Sequence, residues 1–300
     1  MRAVLSVCLS IMLAMPAAAE ITVTHRQGEV TLPAVPQKVL VLDWATIDNL
    51  DALGVAVAGV PGGNVPDYLS KYAGDDYLKV GSLFEPDFET VAGAEADLMI
   101  VAARSREAQP QLNQILPTVD LSGDNTDMIG SLKANLTELG AIFGKEDRAA
   151  ELVAELDAKV ERLRDAAAGK GNALTLVTNG GKIGVYGPGS RTGWLHSAIG
   201  FPAVKENVDD RTHTGDGASF EYILESNPDW LFVVDRDAGV GGDTGAARAL
   251  LDNELVRQTT AWQKDQVVYL EPTRAYIVMN GYTALTSLLD QVYEKVAAAE

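Results

Sequence analysis

Cysteine and histidine are the scarce residues in this sequence, and their scarcity narrows its chemistry. Cys8 is the only cysteine and lies in the opening segment, while His25, His196 and His213 are the only histidines. A dedicated zinc site draws three or four Cys, His or acidic ligands together, and these histidines occupy unlike contexts. His25 lies in an alternating segment and reads as solvated. His196 follows Trp194-Leu195 and reads as a packing residue. His213, in a Gly/Asp/Thr loop, is the one free to face a cleft. Neither G-x-S-x-G nor G-x-x-x-x-G-K-[ST] occurs, which disfavours a serine hydrolase and a P-loop nucleotide site. Positive charge is also short: 24 Lys and Arg stand against 42 Asp and Glu, for a net −18. Nucleic acid and anionic membrane surfaces are therefore not expected partners, and an anionic ligand would need a local cluster of arginines.

Long apolar runs are missing too, apart from residues 3–15. That run falls short of the roughly 20 residues needed to span a bilayer. With Arg2 before it and Pro16-Ala17-Ala18-Ala19 after it, residues 1–19 read as a secretory leader cut after Ala19. The expected mature chain, 20–300, carries a net charge of −19 and no cysteine. An exported protein without disulfides must be held by its core, and 281 residues is near the size at which one core gives way to two.

What the chain does have is a repeat. FETVAGAEADLMIVAAR (88–104) and FEYILESNPDWLFVVDR (220–236) share five of 17 positions without a gap: Phe88/Phe220, Glu89/Glu221, Asp97/Asp229, Val101/Val233 and Arg104/Arg236. Each copy reads as a short helix from the Phe-Glu pair, a turn, and an apolar strand ending beside an arginine. Continuous apolar runs of this length suit strands of a parallel sheet buried on both faces. Ligands of open α/β sheets bind beyond the carboxyl ends of such strands, so each copy offers one Glu and one Arg at a functional edge.

The remaining elements fit around these copies. An alternating hairpin with Gln27-Gly28 at its turn is followed by strands at 38–42 and 55–60, a helix at 46–53 and an irregular stretch at 61–79. A helix at 111–115 and a strand at 118–121 precede a helix over 128–143. The most regular helix spans 146–168, with Leu152, Leu156, Val160 and Leu163 on one stripe and Glu155–Lys159 as an i,i+4 pair. The second half restarts with β segments at 173–178 and 180–186. It continues with a glycine-rich loop at 187–193, a helix at 194–199, a glycine-rich surface loop at 239–245 and a helix at 246–261. A strand at 266–270, a loop at 271–279 and a closing helix at 284–298 complete it. The fold class expected is α/β: two lobes, each with a central mostly parallel sheet, joined by one long helix, since 146–168 falls midway between the copies; an ordinary surface helix is the other reading of that segment. The domains are an N-terminal lobe (20–144), the inter-lobe helix (145–169) and a C-terminal lobe (170–300).

Arginine is permanently charged and presents a planar fork of donors. Arg104 and Arg236 end matching strands and Arg191 sits in the glycine-rich loop, so convergence of the three would suit an anion rich in oxygen acceptors. The alternative is three unrelated arginines paired with neighbours such as Asp235 and Asp237. Glu89 and Glu221, in the first turns of their helices, are also placed where a helix dipole favours acids.

At these residues the chain resembles the substrate-binding proteins of ABC importers for ferric siderophores and cobalamin, the class with a rigid inter-lobe helix, and within it the ferric-catecholate and petrobactin binders. The likeness covers nearly all of 20–300. It is most specific at ITVTHRQGEVTLPAVPQKVLVLD (21–43), LDALG (50–54), VGSLFEPDFETV (80–91), VYGPGSRTGWLHSAIGF (185–201), THTGDGASFEYI (212–223) and VVDR (233–236), and at Ala275–Tyr276. The resemblance implies a periplasmic binding protein and not an enzyme, with an Fe(III)-siderophore as ligand, no intrinsic cofactor, an inner-membrane ABC permease as partner, and a monomeric state. It implies that Arg104, Arg191 and Arg236 surround the siderophore. His213 and Tyr276 would fill iron positions that the chelator leaves open, and Glu89 and Glu221 would dock on the permease. Two departures stand out: THTGDG replaces the relatives' THGQ around His213, and Thr273-Arg274-Ala275 lacks the aromatic neighbour before Tyr276, with Arg274 as a fourth cation near the site. A haem or corrinoid carrier, or an exported α/β enzyme acting on a polyanion, are the other readings of the same arginines.

Overall fold

The computed structural model describes residues 20–205, 207–208 and 214–299. Twelve strands are present among them: β1 (Ile21–His25), β2 (Gly28–Leu32), β3 (Val39–Val41), β4 (Gly59–Val60), β5 (Leu78–Lys79), β6 (Leu98–Val101), β7 (Thr118–Asp120), β8 (Ala173–Asn179), β9 (Lys182–Tyr186), β10 (Asp216–Ala218), β11 (Trp230–Asp235) and β12 (Val267–Tyr269). β1 and β2 form a separate hairpin in which His25 pairs with Gly28, so the turn is Arg26-Gln27, one residue earlier than the sequence suggests. The first sheet has the order β5-β4-β3-β6-β7 and is parallel throughout. The second has the order β10-β9-β8-β11-β12; β8, β11 and β12 are parallel, while β9 and β10 run as antiparallel returns.

The two repeat copies supply a central strand to each sheet. β6 pairs in parallel with β3, and β11 with β8. All residues of β6 and of β11 are buried, as continuous apolar strands inside an α/β layer must be. The helices before them, Phe88–Gly93 and Phe220–Ser226, start at side-chain caps: Asp87 accepts from the Thr90 amide at 3.0 Å and Ser219 from the Tyr222 amide at 3.3 Å. The shared aspartates do one structural job twice. Asp97 accepts from the amides of Gln37 and Lys38 at 2.8 and 2.7 Å, and Asp229 accepts from the amide of Asn172 at 2.9 Å. Each carboxylate thus anchors the residues just before the neighbouring strand.

Helix Met128–Phe143 ends at Gly144, whose φ of 61° suits a residue without a Cβ. Helix Glu146–Ala167 buries Ala149, Leu152, Leu156, Val160, Leu163 and Ala167 along one stripe. Its 22 residues span about 33 Å at 1.5 Å per residue. It packs against both Met128–Phe143 and the closing helix Tyr282–Ala298. Near its start Arg148 pairs along the helix with Glu151 at 3.0 Å and Glu155 at 3.6 Å, but other polar groups turn to the closing helix. Lys159 and Arg162 both reach Asp290 at 2.5 Å, and Glu155 accepts from the Tyr282 hydroxyl at 2.6 Å. The closing helix also lies on Trp44–Leu53 of the first half. There Asp48 accepts from the Ala284 amide at 3.0 Å and Asn49 from the Tyr282 amide at 2.8 Å. These two side chains satisfy the start of a helix that has no cap of its own. One apolar cluster consequently runs through both halves.

Candidate functional site

Arg104 is placed by the end of β6. Ala103, the residue before it, has φ 46°, a left-handed conformation that costs a residue with a Cβ about 1–2 kcal/mol. Three hydroxyl contacts keep the chain there. The Ala103 amide donates to Ser122 Oγ at 2.8 Å, the Ser122 hydroxyl is held in turn by Asp120, and the buried Ser105 hydroxyl donates to the Leu42 carbonyl at 3.0 Å. Such strain persists where surrounding structure over-determines it, often beside a binding site. Arg191 rides on a tight double turn in the 187–193 loop. Ser190 donates to the Gly187 carbonyl through both its amide and its hydroxyl, and the Gly193 amide donates to the Ser190 carbonyl at 2.9 Å. Any Cβ at Gly193 would sit 2.0 Å from the Pro188 carbonyl oxygen, so glycine is required by close approach. Arg236 follows β11 directly and opens the short helix Arg236–Gly239, capped by Asp235.

All three guanidinium groups meet at Tyr276. Their Cζ atoms lie 5.6 Å (Arg104), 4.7 Å (Arg191) and 5.6 Å (Arg236) from its ring centroid. Arg236 Nε donates to the Tyr276 hydroxyl at 3.0 Å, and its Nη1 to Asn179 Oδ1 at 3.0 Å. Arg104 donates to the backbone carbonyls of Tyr276 at 2.8 Å and Ile277 at 3.4 Å; Arg191 also reaches the Tyr276 carbonyl at 3.4 Å. Tyr276 is 5% exposed. It ends the helix Pro272–Tyr276, started by Glu271, which accepts from the Thr273 and Arg274 amides. The loop expected at 271–279 is thus helical over its first part.

These side chains line a cavity of about 390 Å³, together with Phe84, Ala103, Arg106, Ser122, Gly123, Asn125 and Met279. Burial pushes the Arg104 pKa down, and the positive charge of Arg191 pushes the same way, opposed by Asp43. Asp43 is itself buried, which raises its carboxyl pKa against the hydrogen bonds it accepts from Thr46. Crowded cations of this kind are relieved by an anion, and Arg forks suit planar oxygen acceptors.

Glu89 and Glu221 are exposed in the first turns of their helices, away from the cavity lining. His213 lies outside the described residues. His196 contacts the Phe201 carbonyl through Nδ1 at 2.9 Å, in keeping with a packing role, whereas His25 is partly buried and its pKa is lowered by that burial. Arg274 turns to the Tyr68 ring, 5.0 Å from its centroid, and does not line the cavity. Among the described residues the fourth guanidinium of the lining belongs to Arg106, which has no counterpart in the repeat and pairs with Glu107 at 3.0 Å.

Two α/β halves, bridged by a long helix and enclosing a cationic hollow, define a solute-binding protein. The chain belongs to the periplasmic binding protein family, whose model matches residues 39–273. It is similar to the petrobactin-binding protein YclQ of Bacillus subtilis, with 36% identity over 278 residues, 91% of this chain and 87% of that one. The YclQ crystal structure superposes with a TM-score of 0.88 at 34% identity, over 93% of this chain and 99% of that one. The ferric-anguibactin-binding protein FatB of Vibrio anguillarum is 29% identical over 283 residues, 92% and 88% of the two chains. The periplasmic catecholate-siderophore binding protein VctP of Vibrio cholerae superposes with a TM-score of 0.85 at 31% identity, over 94% and 100% of the chains.

Proposed function

We propose that this protein captures an anionic Fe(III)-siderophore of the catecholate type in the cavity around Tyr276 and delivers it to an inner-membrane ABC importer. The observation that carries the reading is the gathering of Arg104, Arg191 and Arg236 on one tyrosine in a chain of net charge −18. A ferric catecholate is an iron-bound anion with outward oxygen acceptors, and each guanidinium offers it charge-assisted hydrogen bonds. Iron is the cargo. Ferric ion is a hard cation for which phenolate oxygen is a fitting donor, so Tyr276 and His213 are the side chains assigned to any iron position left vacant by the chelator. The exposed Glu89 and Glu221, one in each half, are the proposed permease contacts. Residues 1–19 are the proposed leader, placing the working chain outside the cytoplasm, in the periplasm.

Intrinsic tryptophan quenching tests the assignment. The wild type should bind Fe(III)-catecholate complexes, and Arg191→Ala should weaken binding at least about tenfold, as loss of a charged hydrogen bond worth roughly 1.5–3 kcal/mol requires. Unchanged affinity would remove Arg191 from the site. A mass spectrum of what the protein extracts from iron-starved medium would name the chelator, and recovery of haem or a corrinoid instead would overturn the reading.

A further inference from the structure

Charge alone does not distinguish one ferric chelate from another. Arginine forks bind carboxylate, hydroxamate and catecholate oxygens alike, so selection among them needs a different kind of surface. Phe84 supplies one. It is 65% exposed, the highest value among the large exposed hydrophobic side chains, and none of the others (Val35, Leu78, Phe88, Ile115, Val240) lines the cavity. Single apolar residues on a surface are ordinary, but this one is part of the wall of a cationic hollow.

Its backbone is also pinned. Gly81 and Pro86 bridge as antiparallel partners, the Ser82 amide donates to the Glu85 carbonyl at 2.9 Å, and Ser82 Oγ accepts from the amides of Phe84 and Glu85 at 3.2 and 3.0 Å. Gly81 has φ 125°, and a Cβ there would lie 2.3 Å from the Glu85 carbonyl oxygen. The loop is thus a closed turn that fixes where Phe84 stands. The only other aromatic side chain of the lining among the described residues, Tyr276, is already ringed by the three guanidinium groups.

We infer that Phe84 is a specificity-determining residue that reads the aromatic ring of the chelator, so that the site favours aryl (catecholate) ferric complexes over aliphatic carboxylate ones. Ring-on-ring contact adds to area burial in either offset or edge-to-face geometry. An aliphatic chelate gains nothing comparable.

The inference rests on the proposed function, and the test separates the two. Fe(III) complexed by 2,3-dihydroxybenzoate and Fe(III)-citrate are each titrated into wild type, Phe84→Ala, Phe84→Leu and Phe84→Tyr. The catecholate complex should bind Phe84→Ala about fivefold more weakly than wild type, Phe84→Leu to an intermediate degree and Phe84→Tyr like wild type. Citrate affinity should be the same for all four proteins. Phe84 is exposed and adds little to the core, and a shared melting temperature checks that all four proteins fold alike. A wild type that binds the catecholate complex while Phe84→Ala matches it would overturn the inference and leave the function standing. Equal losses for both complexes would also overturn it, because Phe84 would then shape the loop rather than read the ring. A wild type that binds neither complex would instead overturn the proposed function.

Discussion

Arg104 and Arg236 occupy the same position of the repeat, yet the molecule holds them differently. Arg236 is kept within its own half. It bonds Asn179 at the end of β8, lies 3.5 Å from Asp237, and touches the Tyr276 hydroxyl. Arg104 crosses from the first half to the second, and its partners are the backbone carbonyls of Tyr276 and Ile277. It stands behind a strained residue, and both burial and Arg191 work against its charge. The lesson is that a repeat can duplicate a side chain's location without duplicating its partners. One copy fastens a cation within its own half, and the other uses a cation to tie the two halves together.

The largest effect expected from this contrast is on binding. Arg104→Ala should weaken an Fe(III)-catecholate about 100-fold and Arg236→Ala about tenfold, at the upper and lower ends of the range for charged hydrogen bonds. Parallel titrations decide it, and equal losses would dissolve the distinction.

A second effect concerns another polar tie between the halves. Asp48 is buried against the closing helix, and burial raises its carboxyl pKa to about 6; its Oδ1 has no hydrogen-bond partner among the described residues. Because the folded value lies above the unfolded one of 3.8, the folded state holds the proton more tightly. Its contribution is therefore full below about pH 4 and is lost as pH rises to about 6. At 1.36 kcal/mol per unit this is worth about 2–3 kcal/mol. Thermal melts of wild type should decline across that window, and Asp48→Asn should flatten the decline. Parallel slopes would show that Asp48 is not the group responsible.

The smallest effect is expected at the shared tyrosine. Tyr276→Phe removes the acceptor of Arg236 Nε and should cost about threefold in affinity, in line with a net hydrogen bond of about 0.5–1.5 kcal/mol. With a chelator that leaves iron positions open, it should also shift the ligand-to-metal absorption band. An unchanged spectrum would mean that the phenol does not reach the metal.

Much of the framework was legible because it depends on local pattern. The buried runs of β6 and β11, the stripe of Glu146–Ala167, and Gly144 as a helix stop are each periodicity or backbone rules that act within a few residues. The two repeat arginines were visible for the same reason. Other features were hidden by side-chain competition with the backbone. The helix expected over 246–261 is broken into Ala246–Leu251, Val256–Gln258 and Thr260–Gln263. Asn253 accepts from the Leu255 and Val256 amides, and Thr259 caps the last piece through the Trp262 amide. The helix at Pro272–Tyr276 did carry a signal, an acid followed by proline at the first helical position, which the expected loop passed over. Arg106 and Phe84 lie outside any repeat or periodic pattern, so only the closure of the cavity reveals them. The i,i+4 pair expected within the long helix gave way to Asp290 and Tyr282 because a facing helix offered partners in better positions.

The carbonyl oxygens of Tyr276 and Ile277 hold the Arg104 fork in the way an anionic ligand would. Because the Arg104 fork already rests on them, cargo bound as proposed would trade places with acceptors of the chain itself and would not meet bare charge. Departure would be the same exchange run backwards, with the two carbonyl oxygens there to take the fork back. In the proposed delivery to an importer such an arrangement would help release, since the emptied hollow would keep partners for the Arg104 cation.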